Sequence, residues 1–230
     1  MQSIRKLSAE AIATFVITLA ATSVDILYYT GHHIDYVSRW LARGFATAVV
    51  IYAFSDISGA HADPAITLGF ALRRDLPVRF VLPYWIAQFA GAFLASALLM
   101  ALFGRAALPL GASHPGISFS PLTAMLCEIV LTFILMLTIL LTAREQASVG
   151  KQSALAVGLA VAACGFFAGP ISGASMNPAR SIAPQLLGGS YAISWIYVVG
   201  PCLGAALAVA AHWLLCGGPS PEERKAAEGG

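Results

Sequence analysis

The sequence predicts an all-α membrane protein with six transmembrane helices plus two re-entrant half-helices, arranged as an inverted repeat. Three observations carry this expectation. The composition is too apolar for a water-facing surface, six apolar stretches have the length of a bilayer, and one short motif occurs twice. Of the 230 residues, 58% are hydrophobic and 10% charged, against about 45–50% and 25% in an ordinary soluble domain. So few charges cannot cover a soluble body of this size. A net charge of +2 gives no field that would attract nucleic acid or another polyanion. Cys127, Cys164, Cys202 and Cys216 have no CxxC spacing and lie in apolar runs. They therefore read as small buried hydrophobes, with no metal site implied.

The apolar stretches run over residues 4–29, 40–58, 80–103, 122–143, 153–171 and 193–216, and a span needs about 20 residues. The first follows only Arg5-Lys6 and is too long for the apolar region of a cleaved signal, so it counts as a span. Basic residues set the orientation. Arg5, Lys6, Arg73, Arg74, Arg79, Arg144, Lys151, Arg224 and Lys225 fall on one side if six spans alternate, while Arg39 and Arg105 fall on the other. Both termini are thus expected in the cytoplasm. Residues 217–230 form a polar tail, expected to be disordered from Pro219 to Gly230.

Residues 58–72 and 172–187 are too short to cross. They read SGAHADPAITLGF and SGASMNPARSIAP, with Asp63 and Asn177 equivalent and 114 residues apart. Glu10 and Glu128 stand 118 apart, and Ala90-Gly91-Ala92 matches Leu203-Gly204-Ala205. The chain therefore reads as one channel domain with halves of about 1–110 and 118–216. Each half holds three spans, an odd number, so the second enters from the opposite side. That arrangement is typical of transport proteins.

Asx-Pro-Ala is a helix start, with Asp63 or Asn177 as the N-cap and Pro64 or Pro178 at the first helical position, followed by Ala65 or Ala179. Inversion makes the two short helices meet near the midplane, where irregular backbone is tolerated only if it is protein-buried or lines a wet cavity. Their positive ends then face the pore centre, disfavouring cations and passing neutral hydrogen-bonding molecules. Glu10 and Glu128, inside apolar spans, need partners. Either they relay protons, or each accepts backbone N–H bonds and braces a loop. His61 inside the first motif reads as a further brace that fixes the loop by hydrogen bonding, with pH sensing as the alternative.

These residues resemble the aquaporin, or major intrinsic protein, family from Glu10 to about Leu215. The likeness rests on the two motifs, the paired glutamates and WIYVVGPCLGAALAV in the last span. The resemblance implies the family fold, passive permeation without catalysis or cofactor, and a homotetramer in the lipid bilayer with one pore per protomer. It also implies a narrow filter at Arg43, Gly165, Ala174 and Arg180, found by ungapped counting from the motifs. Gly165 and Ala174 remove bulk. Arg43 stands where the family usually has an aromatic, and is left open between facing the pore and pairing with Asp25 or Asp35. Asp63 replaces the usual Asn, leaving an ionised, protonated or Arg-paired carboxyl at the pore centre. The implied permeants are water and small neutral solutes such as glycerol-like polyols or undissociated metalloid acids. An ion or weak-acid channel using Arg43 and Asp63, and a non-conducting membrane scaffold, are the alternatives. Short connections suggest a bacterial inner membrane.

Overall fold

The computed structural model describes residues 2–143 and 146–229. Arg144, counted above for orientation, lies outside the described residues, as does the side chain of Lys151. Ten α-helices are described: α1 (Gln2–Tyr29), α2 (Tyr36–Ser58), α3 (Pro64–Arg73), α4 (Val81–Phe103), α5 (Leu108–Gly111), α6 (Pro121–Ala143), α7 (Gln146–Ser172), α8 (Pro178–Gly188), α9 (Ile196–Cys216) and α10 (Pro221–Glu228). Six of these elements are long and apolar enough to cross a membrane. With the two half-helices α3 and α8, they make a multi-pass integral membrane protein.

Local chemistry sets the helix ends. Helix α2 begins about a turn before the apolar stretch does, because Asp35 caps it and accepts from Val37 N and Ser38 N at 2.8 and 2.9 Å. The Ser38 hydroxyl and amide hold this exposed carboxyl below its usual range. Helix α7 starts at Gln146 rather than near Ser153, carrying the connection into the helix. Both half-helices start with proline behind an extended Asx cap, as the motif requires.

The packing repeats in the two halves. Helix α1 lies on α4 as α6 lies on α9, α1 meets α2 as α6 meets α7, and α2 crosses α7 at the join. Close approach at the α1–α4 and α6–α9 crossings depends on equivalent glycines. A Cβ on Gly91 would stand 2.0 Å from the Ala11 carbonyl oxygen, and one on Gly204 2.3 Å from that of Ile129. The half-helices are exchanged, since α3 packs chiefly on α9 and α8 chiefly on α4. Large apolar side chains such as Val49, Leu94, Leu126 and Leu207 face outwards, while Glu10, Thr14, Gln88 and Glu128 are fully buried. The polar groups are therefore inside and the apolar ones outside, the reverse of a soluble protein.

The tail corrects the expectation of disorder. Ser220 and Glu223 form a capping box that starts α10, and Ala227 is buried. A buried ion pair holds the helix, with Arg73 2.7 Å from Glu223 and 3.4 Å from Asp75. Burial pushes the Asp75 carboxyl up to about 6, opposed by Arg73 beside it. Burial also works against ionised Glu223, but the Ser220 amide and Arg73 outweigh it and hold that carboxyl below its usual 4.5.

These opposite shifts give the docking of α10 a pH optimum. A lowered Glu223 supplies stability above about 4.5 that fades as the pH falls further, whereas a raised Asp75 gives stability gained as the pH falls through about 6. Amide protection of α10, measured by hydrogen exchange and corrected for intrinsic rate, should peak between these values. Glu223→Gln should lower it and remove the decline on the acid side.

Candidate functional site

The two motif loops adopt the same unusual backbone. Gly59, Ala60 and Ala62 have φ of 85°, 49° and 49°, and Gly173, Ala174 and Met176 have 81°, 41° and 56°. Left-handed geometry costs an L-residue about 1–2 kcal/mol, so the loops need external support. Glu10 gives it to the first, accepting from Ser58 Oγ at 2.6 Å, His61 N at 3.0 Å, Ala62 N at 2.8 Å and Gln88 Nε2 at 2.7 Å. Glu128 gives it to the second, accepting from Ser172 Oγ at 2.7 Å, Ser175 N at 2.9 Å and Met176 N at 2.7 Å. Every oxygen of both carboxylates is occupied by donors. This geometry favours the bracing alternative over proton relay, because the backbone donors come from the loops and neither glutamate is among the residues that line the cavity.

Two further braces were not anticipated from the sequence. Tyr84 donates to the Ser58 carbonyl at 2.9 Å, and Tyr197 donates to the Ser172 carbonyl at 2.7 Å. They stand 113 residues apart, the spacing of Gly91 and Gly204, and that register could have revealed them. His61 is fixed at both ring nitrogens. Nε2 lies 2.9 Å from the Ala227 carbonyl and so carries a proton, while Nδ1 lies 3.1 Å from Thr67 Oγ1.

The half-helices meet at their N-termini. Asn177 Oδ1 accepts from Arg180 N at 3.1 Å, and its Nδ2 donates to the Ala62 carbonyl at 2.8 Å, tying the second loop to the first. Asp63 Oδ1 accepts from Ala65 N at 2.7 Å. Pro64, Ala65, Pro178 and Ala179 are buried in the first turns behind these caps.

Asp63 and Asn177 line a cavity of about 70 Å³, counted as room for the centres of water molecules. One water needs roughly 10–15 Å³ on that measure, so the space fits a short file. Arg43, Thr47 and Ile51, one helical turn apart on α2, mark its course. A second space of about 60 Å³ continues from Ile51 past Ser55 and Gly59, and Ala226 and Ala227 of α10 line it. Leu135 and Ile139 of α6 and Val157 and Val161 of α7 give the cavity an apolar wall.

Of the expected filter residues, Arg43, Ala174 and Arg180 line the first cavity. Gly165 does not. A Cβ there would stand 2.0 Å from the Trp40 ring, and one on Gly169 likewise, so both glycines make room for that indole one turn along α2 from Arg43.

Arg43 both lines the cavity and pairs with an acid, so the two alternatives hold together. Its Nη2 donates to Asp25 Oδ2 and its Nη1 to the Gly173 carbonyl at 3.1 Å. Arg180 Nη2 donates to the same Asp25 oxygen at 2.9 Å, while its Nη1 donates to Ser113 Oγ. Arg39 Nε donates to Asp25 Oδ1 at 2.6 Å, and its guanidinium stacks 4.6 Å from the Trp40 ring. One buried carboxylate thus gathers three buried arginines. Arg39 was expected in an outer connection. Its helical spacing from Arg43 was the available signal.

The chain matches the Major intrinsic protein family over residues 1–212. It is 38% identical to "Aquaporin NIP1-4" of Oryza sativa subsp. japonica over 212 residues, which is 92% of this chain and 77% of that one. It is 40% identical to "Putative aquaporin NIP4-1" of Arabidopsis thaliana over 203 residues, covering 87% and 70%. The solved aquaglyceroporin of Plasmodium falciparum shares the fold with a TM-score of 0.85 at 23% identity, over 93% of this chain and 97% of that one. Relatives from plants lend no support to the bacterial membrane suggested by the short connections.

The braces predict the effect of their removal. Glu128→Gln keeps the volume but turns one of the two acceptor oxygens into an NH2 donor, so at least one of the three donors is stranded, and stranding a buried donor costs about 1–3 kcal/mol. The variant should lose about 3 kcal/mol of stability, read as an earlier thermal unfolding transition in detergent. Arg5→Gln, at an exposed position, should not shift it.

Proposed function

The chain belongs to the major intrinsic protein family, and we infer that it is a passive channel for water and small neutral solutes with no catalytic step. Within that class its permeants are hydroxylated molecules that include glycerol-like polyols and undissociated oxyacids as well as water. One observation carries this reading. The cavity lining combines the guanidiniums of Arg43 and Arg180 and the amide of Asn177 with the apolar side chains of Leu135, Ile139, Val157 and Val161. Such a lining suits a solute that presents hydroxyls one way and carbon the other. It stabilises each hydroxyl in turn without a site deep enough to trap the molecule.

Arg43, Ala174 and Arg180 form the selective constriction in this reading, with Gly165 acting behind it through Trp40. Asp63 and Asn177 fix the midpoint. Their chemistry differs: Asn177 keeps an amide hydrogen for a passing oxygen, whereas ionised Asp63 only accepts. The whole chain acts as a single channel domain. Four copies in the bilayer, each with its own pore and with both termini cytoplasmic, complete the assembly that the family resemblance implies.

A second reading, conduction of small anions or weak acids, is favoured by two arginines at one end of the cavity. Stopped-flow light scattering of proteoliposomes separates the two. Water, glycerol and urea gradients should each relax faster than in empty vesicles, without conductance. Val157→Trp, on the apolar wall, should slow all three at least tenfold while the protein remains assembled. Relaxation no faster than in empty vesicles would sink the channel reading.

A further inference from the structure

Asp25 lies on α1, is buried, and is not among the residues that line the cavity. Nothing about permeation requires a carboxylate there, and placing one in an apolar span is unfavourable without compensation. Its contacts show what it does. Oδ2 accepts from Arg43 on α2 and from Arg180 on α8, so one atom joins an arginine of each half of the repeat. Oδ1 accepts from Arg39, which is held in turn by the rings of Tyr28, Tyr29 and Trp40 at 4.8, 5.0 and 4.6 Å. Asp25 is therefore itself positioned from behind.

Two effects follow. The first is geometric. Arg43 and Arg180 would repel each other, but sharing an oxygen holds both side by side in the cavity lining. The Gly173 carbonyl and Ser113 hydroxyl take the opposite ends of the two forks. The second effect is electrostatic. Three guanidiniums and one carboxylate leave the cluster at +2, and without Asp25 it would be +3. Among the described residues, Asp25 is the acid in ion-pair contact with Arg39, Arg43 and Arg180. A positive mouth with low-dielectric walls concentrates anions, so this carboxylate sets how strongly they are admitted.

We propose that Asp25 is the specificity-determining counter-ion of the pore. By holding Arg43 and Arg180 on one oxygen, it keeps the mouth selective for neutral hydrogen-bonding solutes over small anions. This rests on the channel reading above, and the experiment separates the two failures.

The test uses the full chain in proteoliposomes, with chloride and nitrate as anion probes read by an entrapped chloride-quenched dye, and with water and glycerol relaxation read in parallel. The wild type should pass water and glycerol with little anion flux. Asp25→Asn should raise anion flux at least tenfold. Asp25→Asn with Arg43→Gln returns the cluster to +2 and should bring anion flux back towards the wild-type level. Asp25→Glu keeps the charge and should remain low. A purely structural role for Asp25 would leave the double variant as impaired as the single one. Should Asp25→Asn alone fail to assemble, the double variant is expected to recover assembly and stay closed to anions. Assembly of neither would overturn the proposal, because Asp25 would then act through folding alone. An assembled Asp25→Asn with unchanged anion flux would also overturn it while leaving the channel reading intact. A wild type that passes neither water nor glycerol would instead remove the reading on which it rests.

Discussion

Everything in this molecule depends on two buried carboxylates that hold strained backbone. Each motif loop places two non-glycine residues in left-handed geometry, Ala60 and Ala62 in one and Ala174 and Met176 in the other. At about 1–2 kcal/mol apiece, that is roughly 2–4 kcal/mol of strain per loop. Against it, Glu10 accepts four hydrogen bonds and Glu128 three. Bonds to a charged group are worth about 1.5–3 kcal/mol each, and the same donors offset the cost of placing a carboxylate in an apolar span. Together they fix the loops, and the loops hold the Asx caps that line the cavity.

The repeat was legible because its determinants are local. A serine, a glycine, an Asx and a proline at fixed offsets are enough to read a turn into a capped helix, and two copies at a constant interval declare the symmetry. Glu10 and Glu128 were equally visible, since a charge inside an apolar span calls for an explanation. The filter was legible only in part. Ungapped counting found Arg43, Ala174 and Arg180 but could not show that Trp40 covers Gly165. That depends on how α2 rotates against α7, a tertiary property with no periodic signature. The two roles of Arg43 looked exclusive because a sequence offers one partner at a time. A guanidinium has five donors in a fork, and here it uses them in different directions.

The halves share an architecture and differ in charge. Gln88 supports Glu10, while the equivalent position near Glu128 is Pro201. Asp63 caps one half-helix and Asn177 the other, and the arginine cluster sits at one end of the cavity only. Backbone symmetry supplies the tunnel and side-chain asymmetry supplies its direction. The docked tail adds to this polarity. Ala226 and Ala227 line the end remote from the arginines, and the Ala227 carbonyl engages the His61 imidazole within the first motif. Read as sequence, the tail looked too polar to order. A capping box and one buried ion pair supplied what composition did not reveal.

The exchange of half-helices bears on how the chain is made. Helix α3 is translated early, yet its principal neighbour is α9, the last long helix to leave the ribosome. Helix α8 finds its own neighbour, α4, already in place. The first loop must therefore wait, incompletely covered, through the synthesis of more than a hundred residues, whereas the second can seat almost as soon as it emerges. Neither half is a self-sufficient folding unit. The duplicated ancestor implied by the repeat would have had to associate with a second copy before either loop could be enclosed.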